Sequence, residues 1–170
     1  MANTAIEHSR HPIPTFDDVL SELSGNTVFT KLNLTMGFHQ LKEGISREVT
    51  TFTTHAGLFR YKRLMFGICS APELYQHVID QVLHSTRCTG CQNISDDIVV
   101  YGKDVAEHDK RLKMVLHTLK ERGLTLKKKK CVFRMNEIEF MGHLLSAKGT
   151  GPTESRVKAL REAREPTDSS

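Results

Sequence analysis

Two adjacent aspartates, Asp96 and Asp97, are the residues of this sequence best suited to chemistry. They stand between Asn93-Ile94-Ser95 and the apolar, largely β-branched run 98–101. The pattern predicts a β-hairpin with the acidic pair at its turn. Two interpretations of the pair are open at this point. Asp favours turns because its side chain bonds to nearby backbone, and two carboxylates on a rigid hairpin can also hold a divalent cation for phosphoryl transfer.

A second candidate for chemistry is the pair Cys88 and Cys91, which has the spacing of half a zinc site or of a redox pair. The other two cysteines, Cys69 and Cys131, are isolated, whereas a tetrahedral zinc site needs a second closely spaced pair. A loop with free thiols is the simpler interpretation, and it fits a reducing, intracellular setting better than a disulfide framework. A zinc-linked interaction domain stays open as an alternative.

Length and composition bound the class of protein that positions these residues. The chain has 170 residues, of which 38% are hydrophobic and 26% charged, as in one ordinary globular domain. Its net charge of +4 permits a polyanionic partner without requiring one. No apolar run approaches the roughly 18 residues of a membrane span. The first residues lack the apolar core of a signal peptide, so we expect no secretion.

The segments before the acidic pair show the patterns of regular secondary structure. Thr15 and Asp18 form a capping signature at the start of a short helix that ends before Gly25. Residues then alternate between two faces over 28–34, which predicts a strand. The segment 50–61 contains a central glycine between two β-branched and aromatic runs, which predicts a hairpin.

A further helix and a further hairpin are predicted on either side of the acidic pair. Pro72 occupies the first turn of the helix. We expect this helix to bury one face, formed by Leu74, Val78, Ile79 and Val82. The segments 131–133 and 138–141 flank polar residues, and we predict that they pair with each other as a hairpin.

The last predicted elements decide the fold class. An amphipathic helix covers 105–122 and ends at Gly123, and a polar helix covers 153–165. The lysine run 127–130 is typical of a solvated face, although it precedes a strand and could contact a phosphate backbone. Strands and helices mix without regular alternation, so we predict an α+β fold with a mostly antiparallel sheet.

Five blocks, taken in order, carry a resemblance to a known family. They are 29–40, 60–72, 93–101, 122–133 and 139–146. Together they closely resemble the reverse transcriptase of long-terminal-repeat retrotransposons of the gypsy type, a family of transposable elements. Five ordered blocks at compatible spacing are far more specific than any single motif. The likeness runs from about His11 to the end of the chain.

The resemblance implies a right-hand polymerase palm with partial fingers and a truncated thumb. Residues 1–40 would open the palm with its first acidic-strand motif, and 41–70 would belong to the fingers. Residues 71–149 would return to the palm with the Asp-Asp hairpin and the primer grip, and 150–170 would begin the thumb. The resemblance also implies a polyprotein fragment whose earlier fingers segment, most of the thumb and any ribonuclease H domain are missing.

The family is an RNA-directed DNA polymerase, a nucleotidyltransferase that uses two magnesium ions, a template-primer of RNA or DNA and deoxynucleotides. By resemblance, the metal-binding and catalytic pair is Asp96 and Asp97. The third family carboxylate falls on Asn33. Asn offers one neutral carbonyl oxygen and cannot bridge two dications as a carboxylate does. We therefore expect this chain to be catalytically impaired, although Asn33 alone would otherwise be an ordinary polar strand residue.

The resemblance implies three further groups of functional residues, each with a plainer interpretation. The nucleotide-binding group is Phe38, Phe66 and Gly67. The primer grip is Phe140, Met141, Gly142 and His143. Lys130 aligns with the lysine that protonates the departing pyrophosphate. Without the resemblance, Phe38 is a packing residue, the grip is an apolar β-turn, and Lys130 is one solvated lysine in a run of four.

Two hypotheses about function follow, beside the zinc-linked domain. The first is a retrotransposon reverse transcriptase fragment, magnesium-dependent and impaired by Asn33. The second is a catalytically dead remnant that at most binds nucleic acid through basic and backbone contacts. Asn33 is the residue that divides them. Neither hypothesis involves a membrane.

Overall fold

The elements of the computed structural model mix helices with antiparallel strands. The structure describes residues 15–42, 50–85 and 89–162. In chain order the elements are α1 (Phe16–Leu23), β1 (Val28–Asn33), α2 (Gly37–Gln40), β2 (Thr51–Thr54), β3 (Gly57–Arg60), α3 (Ala71–Ser85), β4 (Cys91–Ile94), β5 (Asp97–Gly102), α4 (Val105–Glu121), a short 3-10 turn (Lys128–Lys130), β6 (Val132–Met135), β7 (Glu137–Phe140), β8 (His143–Ser146), β9 (Gly149–Pro152) and α5 (Glu154–Glu162). This composition confirms the α+β prediction.

A four-stranded antiparallel sheet in the order β4-β5-β1-β6 forms the centre of the fold. Strand β1 lies inside this sheet, and both of its faces are covered. On one face, buried residues of the sheet pack against helices α3 and α4; they include Leu32, Ile98, Val100, Ile79, Leu83, Val115 and Leu119. The other face packs against α1 and the separate sheet β7-β8-β9. The predicted alternation along β1 therefore divides its side chains between two apolar clusters.

Several local predictions are confirmed by the structure. Helix α1 begins with the expected capping box: the Asp18 amide donates to the Thr15 hydroxyl at 3.3 Å, and the Thr15 amide donates to the Asp18 carboxylate at 3.0 Å. Strands β2 and β3 form the hairpin predicted over 50–61. Strands β4 and β5 form the acidic hairpin. Among the described residues, no helix is long and apolar enough to cross a membrane.

The predicted pairing of 131–133 with 138–141 is wrong. Strand β6 instead joins the edge of the four-stranded sheet beside β1, with Met135 opposite Phe29 and Val132 opposite Lys31. Strand β7 pairs with β8 in the separate sheet. The true hairpin turn is Met141–Gly142, where both residues have positive φ. A two-residue turn of this kind favours a glycine, which the polar segment 135–137 does not supply.

The predicted buried face of α3 is confirmed only in part. Of the four expected residues only Ile79 is fully buried, and Leu74, Val78 and Val82 are half-buried. The helix instead buries Tyr75 and Gln76, whose polar groups hide them from a search for apolar periodicity. The polar helix predicted over 153–165 is present as α5, and residues 163–165 lie outside the described residues.

A buried polar network joins β1, α4 and β6. The Asp109 carboxylate accepts a hydrogen bond from Nδ1 of His108 at 3.1 Å, and the other ring nitrogen, Nε2, is hydrogen-bonded to the Thr30 hydroxyl at 2.9 Å. The same hydroxyl accepts the Arg134 amide at 3.1 Å, and the Arg134 guanidinium donates to Asp109. Thr30 and His108 are both fully buried. The network thus fixes the helix and the edge strand against the central strand.

Replacing Thr30 by valine should destabilise the fold. The variant keeps the side-chain shape but leaves the buried Nε2 of His108 and the Arg134 amide without their partner, which costs about 1–3 kcal/mol. Urea denaturation measures this loss. The matched control is Thr51→Val on the exposed strand β2. An equal loss in both variants would contradict the structural role of the buried hydroxyl.

Candidate active site

The register of β1 and β5 brings Asn33 and the acidic pair together. Asn33 is directly opposite Asp97 in the antiparallel ladder, so their side chains project from the same face of the sheet. The Asn33 side-chain amide donates to Oδ1 of Asp97 at 2.7 Å. A carboxylate at neutral pH only accepts hydrogen bonds, so the amide nitrogen, not the oxygen, must face it. Both side chains are half-buried.

Asp96 occupies the tight turn between β4 and β5. Ile94 pairs with Asp97, which leaves a two-residue loop of Ser95 and Asp96. Ser95 has a φ of 53°, in the left-handed region. The Leu34 amide, just after β1, donates to the Asp96 carbonyl at 2.8 Å. The turn is therefore tied to the end of β1, and it holds Asp96 beside Asn33 and Asp97.

The side chain of Gln76, on α3, forms hydrogen bonds with the backbone of this turn. Its side chain is 1% exposed. Its amide nitrogen donates to the Asn93 carbonyl at 2.8 Å, and its amide oxygen accepts the Ser95 amide at 3.2 Å. One side chain thus satisfies a backbone acceptor and a backbone donor on the two sides of Ile94. One of these hydrogen bonds is buried and the other is partly buried, so neither can be lost without leaving a polar group unpaired.

Tyr75 and Gly37 enclose the Asp96 carboxylate. Burial, followed by the charge of Asp96, raises the pKa of Tyr75 well above its usual range, so the hydroxyl keeps its proton. Gly37 is buried, and a Cβ atom there would lie 2.1 Å from Oδ1 of Asp96 and 2.3 Å from the Tyr75 hydroxyl. Only glycine leaves room for both groups.

The aromatic residues of the expected nucleotide-binding group lie next to this enclosure. Phe38 is half-buried and packs edge-to-face against Tyr75 and against Phe66, with both ring centroids at 4.9 Å. Phe66 itself is 62% exposed. Gly67 follows it with a φ of 87°, a conformation that suits glycine. The structure therefore places Phe38 against the ring that borders Asp96, with Phe66 and its neighbour Gly67 on the far side of Phe38.

Lys130 lies in the segment that contacts the backbone of Asn33. The Lys127 backbone amide donates to the Asn33 backbone carbonyl at 2.8 Å. The Asn33 backbone amide donates to the Cys131 sulfur at 3.5 Å. The lysines at 128–130 form an exposed 3-10 turn rather than part of a strand. This exposed turn agrees with the solvated face expected for the lysine run.

The expected primer-grip residues form the β7–β8 turn. Phe140 is buried in the cluster on the second face of the central sheet, whereas Met141 is half exposed at the turn. His143 accepts a hydrogen bond from the Arg156 guanidinium at 3.0 Å. The Lys31 ammonium of β1 donates to the Glu139 carbonyl at 2.8 Å, which ties this hairpin to the strand that carries Asn33.

The arrangement fits a divalent cation only in part. Asp96 and Asp97 supply carboxylate oxygens, the ligands that Mg²⁺ prefers. The third position presents an N–H group to Asp97, so it adds neither negative charge nor an oxygen aimed at a shared cation. Within residues 15–42, 50–85 and 89–162 there is no group of three or more His, Cys, Asp and Glu side chains that could hold a metal. The donor set does not fit a two-cation centre.

The alternative zinc site receives no support from the cysteines in view. Cys91 is buried in the core cluster with α3 and α4, and Cys88 lies outside the described residues.

A separate basic depression of about 380 Å³ lies beside β3. It is lined by Lys42, Arg60, Tyr61, Lys62 and Arg63.

Sequence reasoning did not find Gly37, Tyr75 or Gln76 as residues of this site. Gly37 lies beyond the predicted strand 28–34, and the other two lie on a helix predicted from its apolar positions. The one available signal was a tyrosine and a glutamine side by side on a helix that precedes the acidic hairpin. Their contacts depend on how α3 packs below the turn, which the sequence pattern does not specify.

Replacing Gln76 by methionine should loosen the acidic turn. The variant fills a similar volume but leaves the Asn93 carbonyl and the Ser95 amide unpaired, which costs about 1–3 kcal/mol of the free energy of unfolding. Urea denaturation measures the loss, and amide hydrogen exchange at Ser95 should accelerate. Gln81→Met, at an exposed position of the same helix, is the control. If Gln81→Met costs as much as Gln76→Met, the supporting role fails.

Comparison with known proteins agrees with this geometry. A family model described as reverse transcriptase (RNA-dependent DNA polymerase) matches residues 1–145. The retrovirus-related Pol polyprotein from transposon 297 of Drosophila melanogaster is 33% identical over 154 residues, which cover 89% of this chain and 14% of that polyprotein. The corresponding polyprotein from transposon opus of the same species is 34% identical over 167 residues, or 97% of this chain and 17% of the polyprotein.

Among solved structures, the foamy viral protease-reverse transcriptase in complex with RNA/DNA hybrid has a TM-score of 0.83. It is 23% identical, and the match covers 96% of this chain and 22% of the viral one. At this identity the likeness shows the fold alone, which is that of the reverse transcriptase palm and confirms the prediction. Because the family model spans most of the sequence and the transposon polyproteins match nearly all of it, this chain belongs to the reverse transcriptase family, as a domain of the kind found in retrotransposon polyproteins.

Proposed function

We propose that this chain forms the catalytic palm region of an RNA-directed DNA polymerase whose centre is impaired by Asn33. The observation that carries the proposal is the placement of Asn33, Asp96 and Asp97 at one end of the central sheet, where a 2.7 Å hydrogen bond joins Asn33 to Asp97. The template-primer and deoxynucleotides are the substrates of the proposed activity.

The remaining assignments are part of the same proposal. Residues 1–40 and 71–149 form the palm, 41–70 belong to the fingers, and 150–170 begin the thumb. The exposed ring of Phe66, the supporting ring of Phe38 and the backbone of Gly67 line the place of the incoming nucleotide. The turn at 140–143 holds the primer end, and Lys130 is the proton donor for the leaving pyrophosphate. The exposure of Phe66, Met141 and Lys130 supports these roles because each is open to a ligand.

The reverse transcriptase family is generally dependent on divalent metal ions. In this chain Asp96 and Asp97 are the residues that would hold Mg²⁺, which supplies positive charge for phosphoryl transfer when bound. Asn33 does not complete the set, because its amide donates to Asp97 and carries no charge. The loss of a charged group at such a centre costs on the order of a thousandfold in rate.

Restoring the carboxylate should restore synthesis. We expect Asn33→Asp to raise the primer-extension rate on the order of a thousandfold when the chain is joined to the flanking polymerase segments of a relative. A labelled primer on an RNA template, with Mg²⁺ and deoxynucleotides, gives the readout. The control is Asn136→Asp, which adds the same charge at an exposed turn. Fast extension by the original chain, or no gain in Asn33→Asp, would defeat the proposal of an impaired centre.

A second candidate function is nucleic-acid binding without catalysis, and the basic depression beside β3 favours it. Four basic residues and one tyrosine line this depression, and Lys62 among them is exposed. Such a cluster attracts phosphate groups without reading sequence. The amide at position 33 removes the chemistry but leaves this surface intact.

Binding through this depression should depend strongly on salt. We expect Lys62→Ala to weaken binding of a single-stranded oligonucleotide and to reduce the slope of log K against log salt by about one. Fluorescence anisotropy across a salt series measures both quantities. Lys113→Ala, at an exposed position of α4, should leave the slope unchanged. Identical slopes for the two variants would rule out the depression as a phosphate-binding surface.

A further inference from the structure

The contact between Asn33 and Asp97 does more than remove a metal ligand. The two residues are locked face to face by the ladder, because Leu34 is tied to Asp96 and Lys127 to the Asn33 carbonyl at 2.8 Å each. The backbone pairing therefore directs the side chain at position 33 toward the face of the sheet that carries Asp97. Its amide protons carry partial positive charge toward a half-buried carboxylate.

We propose that the Asn33 amide acts as a built-in counter-charge for Asp97, so that the acidic centre keeps its shape without a divalent cation and responds little to one. The inference concerns the free energy of folding and the affinity for metal. It does not require the chain to act as a polymerase.

The alternative arrangement shows why the amide matters. An aspartate at position 33 would place one carboxylate oxygen about as far from Oδ1 of Asp97 as the amide nitrogen is now. Two like charges at hydrogen-bond distance repel each other, and Asp96 adds a third negative charge at the same end of the sheet. A divalent cation between them would relieve the repulsion. With Asn33 in place, a neutral hydrogen-bond donor faces Asp97, and no cation is needed to relieve repulsion between these two positions.

For a cation to use Asn33, the amide must turn its oxygen toward the metal. This rotation breaks the hydrogen bond to Asp97 and brings two oxygens together unless the cation lies between them. The same side chain that stabilises the metal-free centre therefore opposes metal binding. We expect Mg²⁺ to bind the Asn33→Asp variant at least about tenfold more tightly than the original chain.

The test is thermal unfolding of the full 170-residue chain, followed by circular dichroism in EDTA and in excess MgCl₂. The midpoint of the original chain and of the control Asn136→Asp should not change with Mg²⁺. Asn33→Asp should unfold at a lower temperature in EDTA and recover when Mg²⁺ is added. With magnesium at ten times its dissociation constant, the ratio of folded to unfolded protein rises about elevenfold.

A swapped pair separates the hydrogen bond from simple charge. In the double variant Asn33→Asp/Asp97→Asn the donor and the acceptor exchange places, and the net charge is that of the original chain. Its midpoint in EDTA should return toward the original value, without a response to Mg²⁺. This variant also decides the outcome if Asn33→Asp alone fails to fold in both conditions: a folded double variant supports the proposal, and an unfolded one refutes it.

Three results would overturn the inference. One is an Asn33→Asp variant as stable as the original chain in EDTA. Another is an equal stabilisation of both proteins by Mg²⁺. The third is a double variant no more stable than the single one. None of these results depends on primer extension, so an Asn33→Asp variant that gains no polymerase activity would leave the counter-charge intact.

Discussion

The antiparallel pairing of β1 with β5 is the constraint on which the rest of the structure depends. It sets residue 33 opposite residue 97 and gives each face of the sheet its own apolar cluster. A shift of one residue in this register would turn every side chain of β1 to the wrong face, exposing Leu32 and Phe29 to the wrong layers. The large cost of that shift is what allows so exact a contact as the Asn33–Asp97 hydrogen bond.

The family fold and the family chemistry have different requirements in this molecule. The fold rests on buried side chains such as Leu32, Ile98 and Val115, and on polar groups that are paired inside the core, such as Thr30 and Gln76. None of these needs a charge at position 33. The amide there is compatible with the strand, with the turn and with its acidic neighbour. A chain can thus keep the architecture of a polymerase while its centre changes from an anionic set to a donor–acceptor pair.

Local patterns in the sequence were sufficient where the interaction is local. The capping box at Thr15, the hairpin at 50–61 and the acidic turn depend on residues a few positions apart, and their signals are explicit. The fold and family also followed from the ordered blocks. The partner of strand β6 could not be predicted in this way. It pairs with β1, more than 90 residues earlier in the chain, and this choice over β7 depends on packing and not on a local signal. The contacts around Asp96 could not be predicted for the same reason. The polar groups of Tyr75 and Gln76 reach the acidic turn only after α3 has packed against it.

The position of β1 early in the chain has a consequence for synthesis on the ribosome. Strands β4 and β5 are neighbours in sequence and can pair as soon as they emerge. Strand β1 must wait for both of its partners, since Asn33 and Asp97 are 64 positions apart and β6 lies further on. At about 5–20 residues per second, that first separation alone takes roughly 3–13 seconds. During this interval the apolar residues of β1 have no partner strand. The nascent chain therefore exposes an apolar, aggregation-prone segment until the sheet of the palm has formed.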